Sequence, residues 1–257
     1  MKKVEVKNVY MNYHTITAET VALKNISFDV ENGEFTSIVG PSGCGKSTLL
    51  NIISGLINPS DGKIYIDGTE QNGYSSKLGY MFQKDQLFEW ITVLDNVSIG
   101  LKIKNQLTKE NQKKLKQLLE NYNLWEFRNH YPRQLSGGMR QRVALIRTLA
   151  LDPEVLLLDE PFSALDYQTR LNVSDEIYEI IKKEGKTAIM VTHDISEAVS
   201  MSSKIVVLSK RPAVIKKIVN VNFEDEELTP LKCREHPRFR DYFNDIWKEM
   251  DYSEEEK

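Results

Sequence analysis

In Gly40-Pro41-Ser42-Gly43-Cys44-Gly45-Lys46-Ser47-Thr48 the first eight residues match the spacing G-x-x-x-x-G-K-[ST], which suits phosphate binding. Glycines 40, 43 and 45 let the backbone curl until successive N–H groups point at phosphate oxygens. Leu49, Ile52, Ile53 and Leu56 follow helical spacing, so a helix starting near Lys46 adds the positive end of its dipole. Lys46 is placed to reach β- and γ-phosphates, and the Ser47 hydroxyl suits Mg²⁺. The plain alternative is a chance glycine turn before a helix, and the strand pattern ahead of the loop argues against it. Cys44 is a spacer in this loop, inert rather than catalytic, and open to thiol reagents only where no nucleotide covers it.

A second cluster is Val155-Leu156-Leu157-Leu158-Asp159-Glu160-Pro161, two carboxylates at the end of an apolar run. Asp159 emerges where the ligands of parallel sheets collect and suits a contact to Mg²⁺, direct or through water. A neighbouring carboxylate suits the polarisation of an attacking water as general base, and spacing leaves open which of Asp159 and Glu160 does which job. Alone, an Asp-Glu pair after a strand is a turn. More than 100 residues after a phosphate loop, it reads as the second half of a nucleotide-hydrolase site.

The elements that must position these groups follow from periodicity. Val4/Val6 and Ile26/Phe28/Val30 alternate with polar residues, and Asn32-Gly33 and Asp67-Gly68 are hairpin signals. From about 92 to 133 the pattern is helical, with Leu115, Leu118, Leu119 and Tyr122 on one stripe. Three short apolar runs at 155–159, 187–192 and 205–209, separated by helical stretches, predict parallel strands covered on both faces. A further strand is expected at 214–221, after Arg211-Pro212. Phe239, Tyr242, Phe243, Ile246 and Trp247 then fall on one helical face. The expected class is α/β: a mixed, mainly parallel core, an N-terminal antiparallel β subdomain and a helical subdomain at about 92–150. The division predicted is a body at 1–221 and an acidic tail with an amphipathic helix at 222–257.

Composition narrows the alternatives. At 257 residues, 40% hydrophobic and 28% charged, the chain reads as a globular protein with a substantial core. No apolar run approaches the roughly 20 residues of a membrane span, and Met1-Lys2-Lys3 leads into alternating residues rather than a signal segment. Two cysteines, Cys44 and Cys233, make no disulfide framework or zinc spacing and fit a reducing compartment. The net charge of −3 argues against nucleic acid as a partner.

Leu135-Ser136-Gly137-Gly138-Met139-Arg140-Gln141-Arg142 resembles the signature of ATP-binding cassette (ABC) ATPases. The other family landmarks appear in order: Gln83 resembles the Q-loop glutamine, Ser163-Ala164-Leu165-Asp166 the D-loop, and His193 the switch histidine. The resemblance spans residues 4 to about 210 and implies the phosphate-loop NTPase fold in its ABC form. It implies catalytic roles for Glu160, His193, Lys46 and Gln83, and Mg²⁺ held by Ser47, Gln83 and Asp159. ATP contacts are implied for residues 40–48 and, across a head-to-tail dimer, for Ser136, Gly137, Gly138, Gln141 and Asp166. Tyr13 looks like the aromatic that stacks on adenine, with Tyr10 as its rival because the segment 15–21 is long.

Asp85-Gln86-Leu87-Phe88-Glu89-Trp90-Ile91-Thr92-Val93-Leu94-Asp95-Asn96-Val97 resembles the nitrate/sulfonate/taurine branch of bacterial importers. Arg211-Pro212 and the later His236-Pro237-Arg238-Phe239 agree. Glu89 departs from the proline usual there, and Ile146 and Thr148 from the usual alanines. Import therefore stands ahead of lipid or lipoprotein export. A soluble cassette acting on ribosomes or DNA fits poorly, because only 90 positions separate Lys46 from Ser136. The resemblance implies a second copy of the chain, a separate permease, an indirect solute-binding protein and a peripheral place on the cytoplasmic side of the membrane. Residues 86–97 are expected to line the groove for a permease helix, with Trp90 either in that interface or in the core.

Overall fold

The computed structural model describes residues 1–14, 19–224 and 228–250. Four positions of the long segment 15–21 therefore lie outside the described residues, as do 225–227 and 251–257 of the acidic tail.

β1 (Lys2–His14) pairs antiparallel with β2 (Glu19–Glu31). The chain turns at Asn32-Gly33 into β3 (Phe35–Val39), which enters a different sheet and leads to α1 (Lys46–Ser54). β4 (Asp61–Ile66) returns to β1, and a hairpin joins it to β5 (Thr69–Glu70). β6 (Leu78–Met81) is followed by α2 (Val93–Ile103), α3 (Lys109–Asn121), two single 3₁₀ turns and α4 (Gly137–Leu149). The remainder runs β7 (Val155–Asp159), α5 (Tyr167–Lys183), β8 (Thr187–Thr192), α6 (Ile195–Met201) and β9 (Lys204–Leu208). It ends with β10 (Ile215–Asn220), α7 (Pro230–Cys233) and α8 (Phe239–Met250).

Two sheets result, one ordered β2-β1-β4-β5 and the other β10-β9-β3-β8-β7-β6. In the second, β9-β3-β8-β7-β6 are all parallel and only β10 runs antiparallel. The central strands are apolar throughout because both faces are covered. In β7, Val155 and Leu157 face the first sheet and α1, while Leu156 and Leu158 face α2 to α5. A parallel sheet exposes the carboxyl ends of its strands along one edge, and β3, β8, β7 and β6 are neighbours there.

The two hairpin signals part company. Asp67 (φ +50°) and Gly68 (φ +71°) make a two-residue hairpin between Ile66 and Thr69. Asn32-Gly33 instead turns the chain from one sheet to the other, with the Glu34 N–H donating to the Glu31 carbonyl at 3.2 Å. A tight turn fixes chain direction, but sheet membership depends on which strand supplies the free ladder edge. Two apolar positions also leave their predicted faces. Leu56 lies beyond the left-handed Gly55 that ends α1 and is exposed, and Trp247 is exposed on α8 although Ile246 beside it is fully buried. Phe239, Tyr242 and Phe243 pack with Ile246 onto α6 and β9, so the tail helix shares the body's core.

Candidate functional site

The phosphate loop leaves the end of β3 and closes on α1. Gly43 (φ +74°) and Gly45 (φ +123°) occupy conformations that side chains disfavour. Gly40 is required by close approach instead: a Cβ there would lie 3.1 Å from both the Leu208 Cβ and the Leu208 carbonyl oxygen. Lys46, only 5% exposed, donates to the carbonyls of Gly40 (2.8 Å) and Pro41 (2.9 Å). Its charge is thereby held at the loop. The Cys44 thiol is buried, and burial pushes its pKa up, away from a nucleophilic thiolate.

Around this loop the strand ends assemble the remaining groups. Ser47 Oγ donates to Asp159 Oδ1 at 2.9 Å, and Tyr80 donates to Asp159 Oδ2 (3.2 Å) and to Asn51 Oδ1 (3.0 Å). Burial raises the Asp159 pKa against the lowering effect of the Ser47 and Tyr80 hydrogen bonds, and the charge of Glu160 adds to the rise. Burial, then the charge of Asp159, raises the Tyr80 phenol, which remains a donor. Glu160 sits at φ +43°, a strained value for a non-glycine, with its N–H on the Val191 carbonyl at 2.9 Å. Its Oε2 lies 3.1 Å from His193 Nδ1 and accepts from Gln83 Nε2 at 3.2 Å. Gln83 also donates to Ser163 Oγ at 3.3 Å. Residues from the ends of β6, β7 and β8 thus meet at one carboxylate, while Gln83 bonds to Glu160 rather than to the Ser47–Asp159 pair.

The two tyrosines separate. The Tyr13 hydroxyl is 3.2 Å from Thr48 Oγ1, beside the loop, and its ring is partly exposed. Tyr10 lies opposite Asp61 in the first sheet, with its carbonyl accepting from the Ser60 N–H.

The signature opens α4. Ser136 is its N-cap, accepting from the Met139 N–H at 3.3 Å. A Cβ on Gly138 would meet Val173 Cγ2 at 2.7 Å, and one on Gly137 would meet Leu165 Cδ2 at 3.0 Å. The two remaining residues expected at the nucleotide of a second copy differ in exposure. Gln141 is only 3% exposed, one turn into α4. Asp166 caps α5, accepting from the Thr169 N–H at 3.1 Å.

Sequence reasoning missed how residues 85–91 are held. Arg140 forks onto Asp85 (2.7 and 3.1 Å) and reaches Glu89 at 2.6 Å, which gives the departure at position 89 a partner. Arg147 donates to the carbonyls of Asp85 and Gln86, both at 2.6 Å, and buried Asn96 bonds Phe88 through both N–H and C=O. Two arginines two turns apart on α4 were the available signal, without sequence evidence of their partners. Beside this loop lies an apolar groove of about 400 Å³, lined by Leu56, Tyr74, Phe82, Phe88, Ile99 and Leu151 among others. Trp90 is 74% exposed, with its ring 5.2 Å from that of Phe88, whereas Leu87 is core. Among the described residues no helix is long and apolar enough to cross a membrane.

The family model for ABC transporters matches residues 23–163. The chain is 45% identical over its whole length to the ABC transporter ATP-binding protein YtlC of Bacillus subtilis (strain 168), covering 99% of that protein. It is 43% identical to the aliphatic sulfonates import ATP-binding protein SsuB of Bacillus thuringiensis subsp. konkukian (strain 97-27), over 85% of this chain and 86% of that one. Among solved structures, the dimeric post-hydrolysis state of the ATP-binding cassette MJ0796, bound to ADP and Pi, superposes with a TM-score of 0.73. That match is at 36% identity and covers 85% of this chain and 99% of that one. The family match, the identities over most of both chains and the superposition show that the chain belongs to the ATP-binding proteins of ABC transporters.

Proposed function

We propose that the chain is the ATP-hydrolysing subunit of an importer of the nitrate/sulfonate/taurine type, working as a head-to-tail pair of copies on a separate permease. The observation that carries this reading is the meeting of Ser47–Asp159 and Gln83–Glu160–His193 at the edge where the phosphate loop opens. Lys46 neutralises the β- and γ-phosphates of ATP. Ser47 and Asp159, with Gln83 nearby, hold Mg²⁺. Their hydroxyl and carboxylate oxygens are 2.9 Å apart, and hard oxygen donors shared with phosphates suit this ion better than an all-protein cage. Bound there, Mg²⁺ offsets charge developing on the phosphates.

Glu160 accepts a proton from the attacking water. His193, 3.1 Å away, orients that carboxylate and contacts the γ-phosphate. Tyr13 stacks on adenine beside Thr48. Ser136, Gly137 and Gly138 present the N–H groups of the first turn of α4 to the γ-phosphate of ATP held by the other copy, a use of a helix N-terminus as an anion site. Gln141, one turn into α4, and Asp166, at the exposed start of α5, join the contact to that nucleotide. In this reading residues 1–221 are the ATPase body, 92–150 its helical subdomain and 222–257 a tail.

The apolar groove lined by Phe88, whose ring packs against exposed Trp90, receives a permease helix, and the subunit then sits peripherally on the cytoplasmic face of the membrane. Exposed apolar surface concentrated in one groove fits an interface better than a solvated face. The SsuB relative, named for sulfonate import, favours import over export, and a solute-binding protein then works upstream.

The test uses Glu160→Gln protein, which binds ATP but turns over slowly. Light scattering is expected to give a monomer without nucleotide and a dimer with Mg-ATP. A monomer at saturating ATP refutes the paired mechanism. Affinity purification of the same variant from detergent-solubilised native membranes is expected to bring down a multi-span permease, and Trp90→Ala to lose it while still dimerising. A large-ectodomain exporter in the eluate overturns the import assignment and leaves the ATPase chemistry standing.

A further inference from the structure

We infer that Arg211 is a positioning residue for the phosphate loop, a role that rests on the ATPase reading above. Arg211 lies between β9 and β10, outside the segment that the family model matches. Its guanidinium Nη2 donates to the Gly43 carbonyl at 2.8 Å. In a trans peptide the C=O and the following N–H point in opposite directions. Drawing the Gly43 oxygen outward toward Arg211 therefore turns the Cys44 N–H inward, where it donates to the Pro41 carbonyl at 3.3 Å. The Pro41 and Gly40 carbonyls are in turn drawn to Lys46. Two cations, 165 positions apart in sequence, thus hold three carbonyls of one loop. A cradle for phosphate needs its N–H groups aimed the same way, and Gly43, at φ +74°, has no side chain to fix its peptide.

The arginine is delivered from a rigid base. The Ala213 N–H donates to the Ala22 carbonyl at 3.0 Å and the Lys24 N–H to the Ala213 carbonyl at 2.9 Å, so the loop is stitched to β2. The Ser209 N–H donates to the Val214 carbonyl, and Ser209 Oγ accepts from the Val214 N–H, both at 3.0 Å. β2 itself backs the phosphate loop: Leu23 Cδ2 lies 2.8 Å from where a Gly45 Cβ would stand. The β9–β10 connection, β2 and the phosphate loop form one unit, and Arg211 is its only side chain that bonds to the Gly43 peptide among the described residues. Arg211 acts through the loop and does not touch the reacting atoms. Its loss weakens the ground state and the transition state alike, which raises KM and spares kcat.

The experiment is steady-state ATP hydrolysis by the full chain carrying Arg211→Ala, Arg211→Lys or Lys46→Ala, with Tm measured for each. Arg211→Ala is expected to raise the KM for ATP about 3- to 10-fold with kcat within about twofold, the scale of one charge-assisted hydrogen bond at a solvent-facing position. Arg211→Lys keeps a charged donor and is expected to recover part of the loss, which a purely steric role does not produce. If Arg211→Ala fails to fold, Arg211→Gln carries the same test, with a KM between those of Lys and the parent ruled out and one above Lys expected. A KM within about twofold of the parent, or a fall in kcat at constant KM, overturns the proposal. Lys46→Ala tells the two readings apart. If it hydrolyses ATP like the parent, the activity does not come from this loop and the reading of the loop as the ATPase site fails; if it is inactive while Arg211→Ala is unchanged, only the role of Arg211 fails.

Discussion

Two glycine-rich helix starts, the phosphate loop before α1 and the signature before α4, use the same residue types for different ends. In the first, glycine supplies backbone conformations, with Gly43 and Gly45 at positive φ. In the second, Gly137 and Gly138 have ordinary helical geometry, and the constraint is space: a Cβ would lie 2.7 Å from Val173 Cγ2 at Gly138 and 3.0 Å from Leu165 Cδ2 at Gly137. The phosphate loop also carries its own chemistry. Lys46 is folded into it, and Asp159, Glu160, His193 and Gln83 stand around its mouth, all from one chain. The signature has a capping serine and the amide groups of one helix turn, and its neighbouring Arg140 is spent on Asp85 and Glu89. One cluster brings its charged and titratable groups from its own chain, and the other, in the proposed pairing, serves the nucleotide of the second copy.

This difference is open to a direct attack by paired substitution. Lys46→Ala is expected to lower kcat/KM by about 100-fold or more and to weaken ATP binding by the isolated chain, because the phosphates then lose the cationic side chain folded into the loop. Ser136→Ala is expected to leave ATP affinity of the monomer within about twofold, while turnover at low protein concentration falls about 10-fold and nucleotide-driven dimerisation weakens. Equal losses of monomer affinity in a calorimetric titration would make the signature part of its own chain's site and erase the contrast.

A second effect of about 100-fold sharpens the account of the phosphate-loop site. His193→Ala is expected to reduce kcat about 100-fold with KM changed by less than about threefold, since Glu160 loses its 3.1 Å partner only where the water must be oriented. Equal losses in both constants undo that assignment. The smallest effect concerns the edge of the same site. Tyr13→Ala is expected to raise KM about 3- to 10-fold, from the roughly 0.5–1.5 kcal/mol of an aromatic stack, and Tyr10→Ala to leave it unchanged. Competition by ATP against a fluorescent nucleotide reads both, and the reverse ranking would return the adenine to Tyr10.

The amino-acid sequence determined the chemistry and much of the architecture by itself. The phosphate loop, the carboxylates at 159 and 160, the signature and the three apolar strands are local patterns whose residue types carry their own reason. Strand alternation placed the N-terminal layer, because a period of two needs only its own segment. Tertiary structure decided what depends on residues far apart in the chain. It sent Asn32-Gly33 between sheets instead of into a hairpin, since ladder edges are assigned by the whole sheet. It buried Gln141, exposed Trp90 and Trp247, and gave Glu89 a partner in Arg140, 51 positions away. It chose Tyr13 over Tyr10 as the ring beside Thr48, and brought Arg211 to Gly43 across 168 positions. A motif is legible where neighbouring residues fix the backbone; a partner is not, because long-range contacts are set by how sheets and helices pack and leave no periodic trace in the chain.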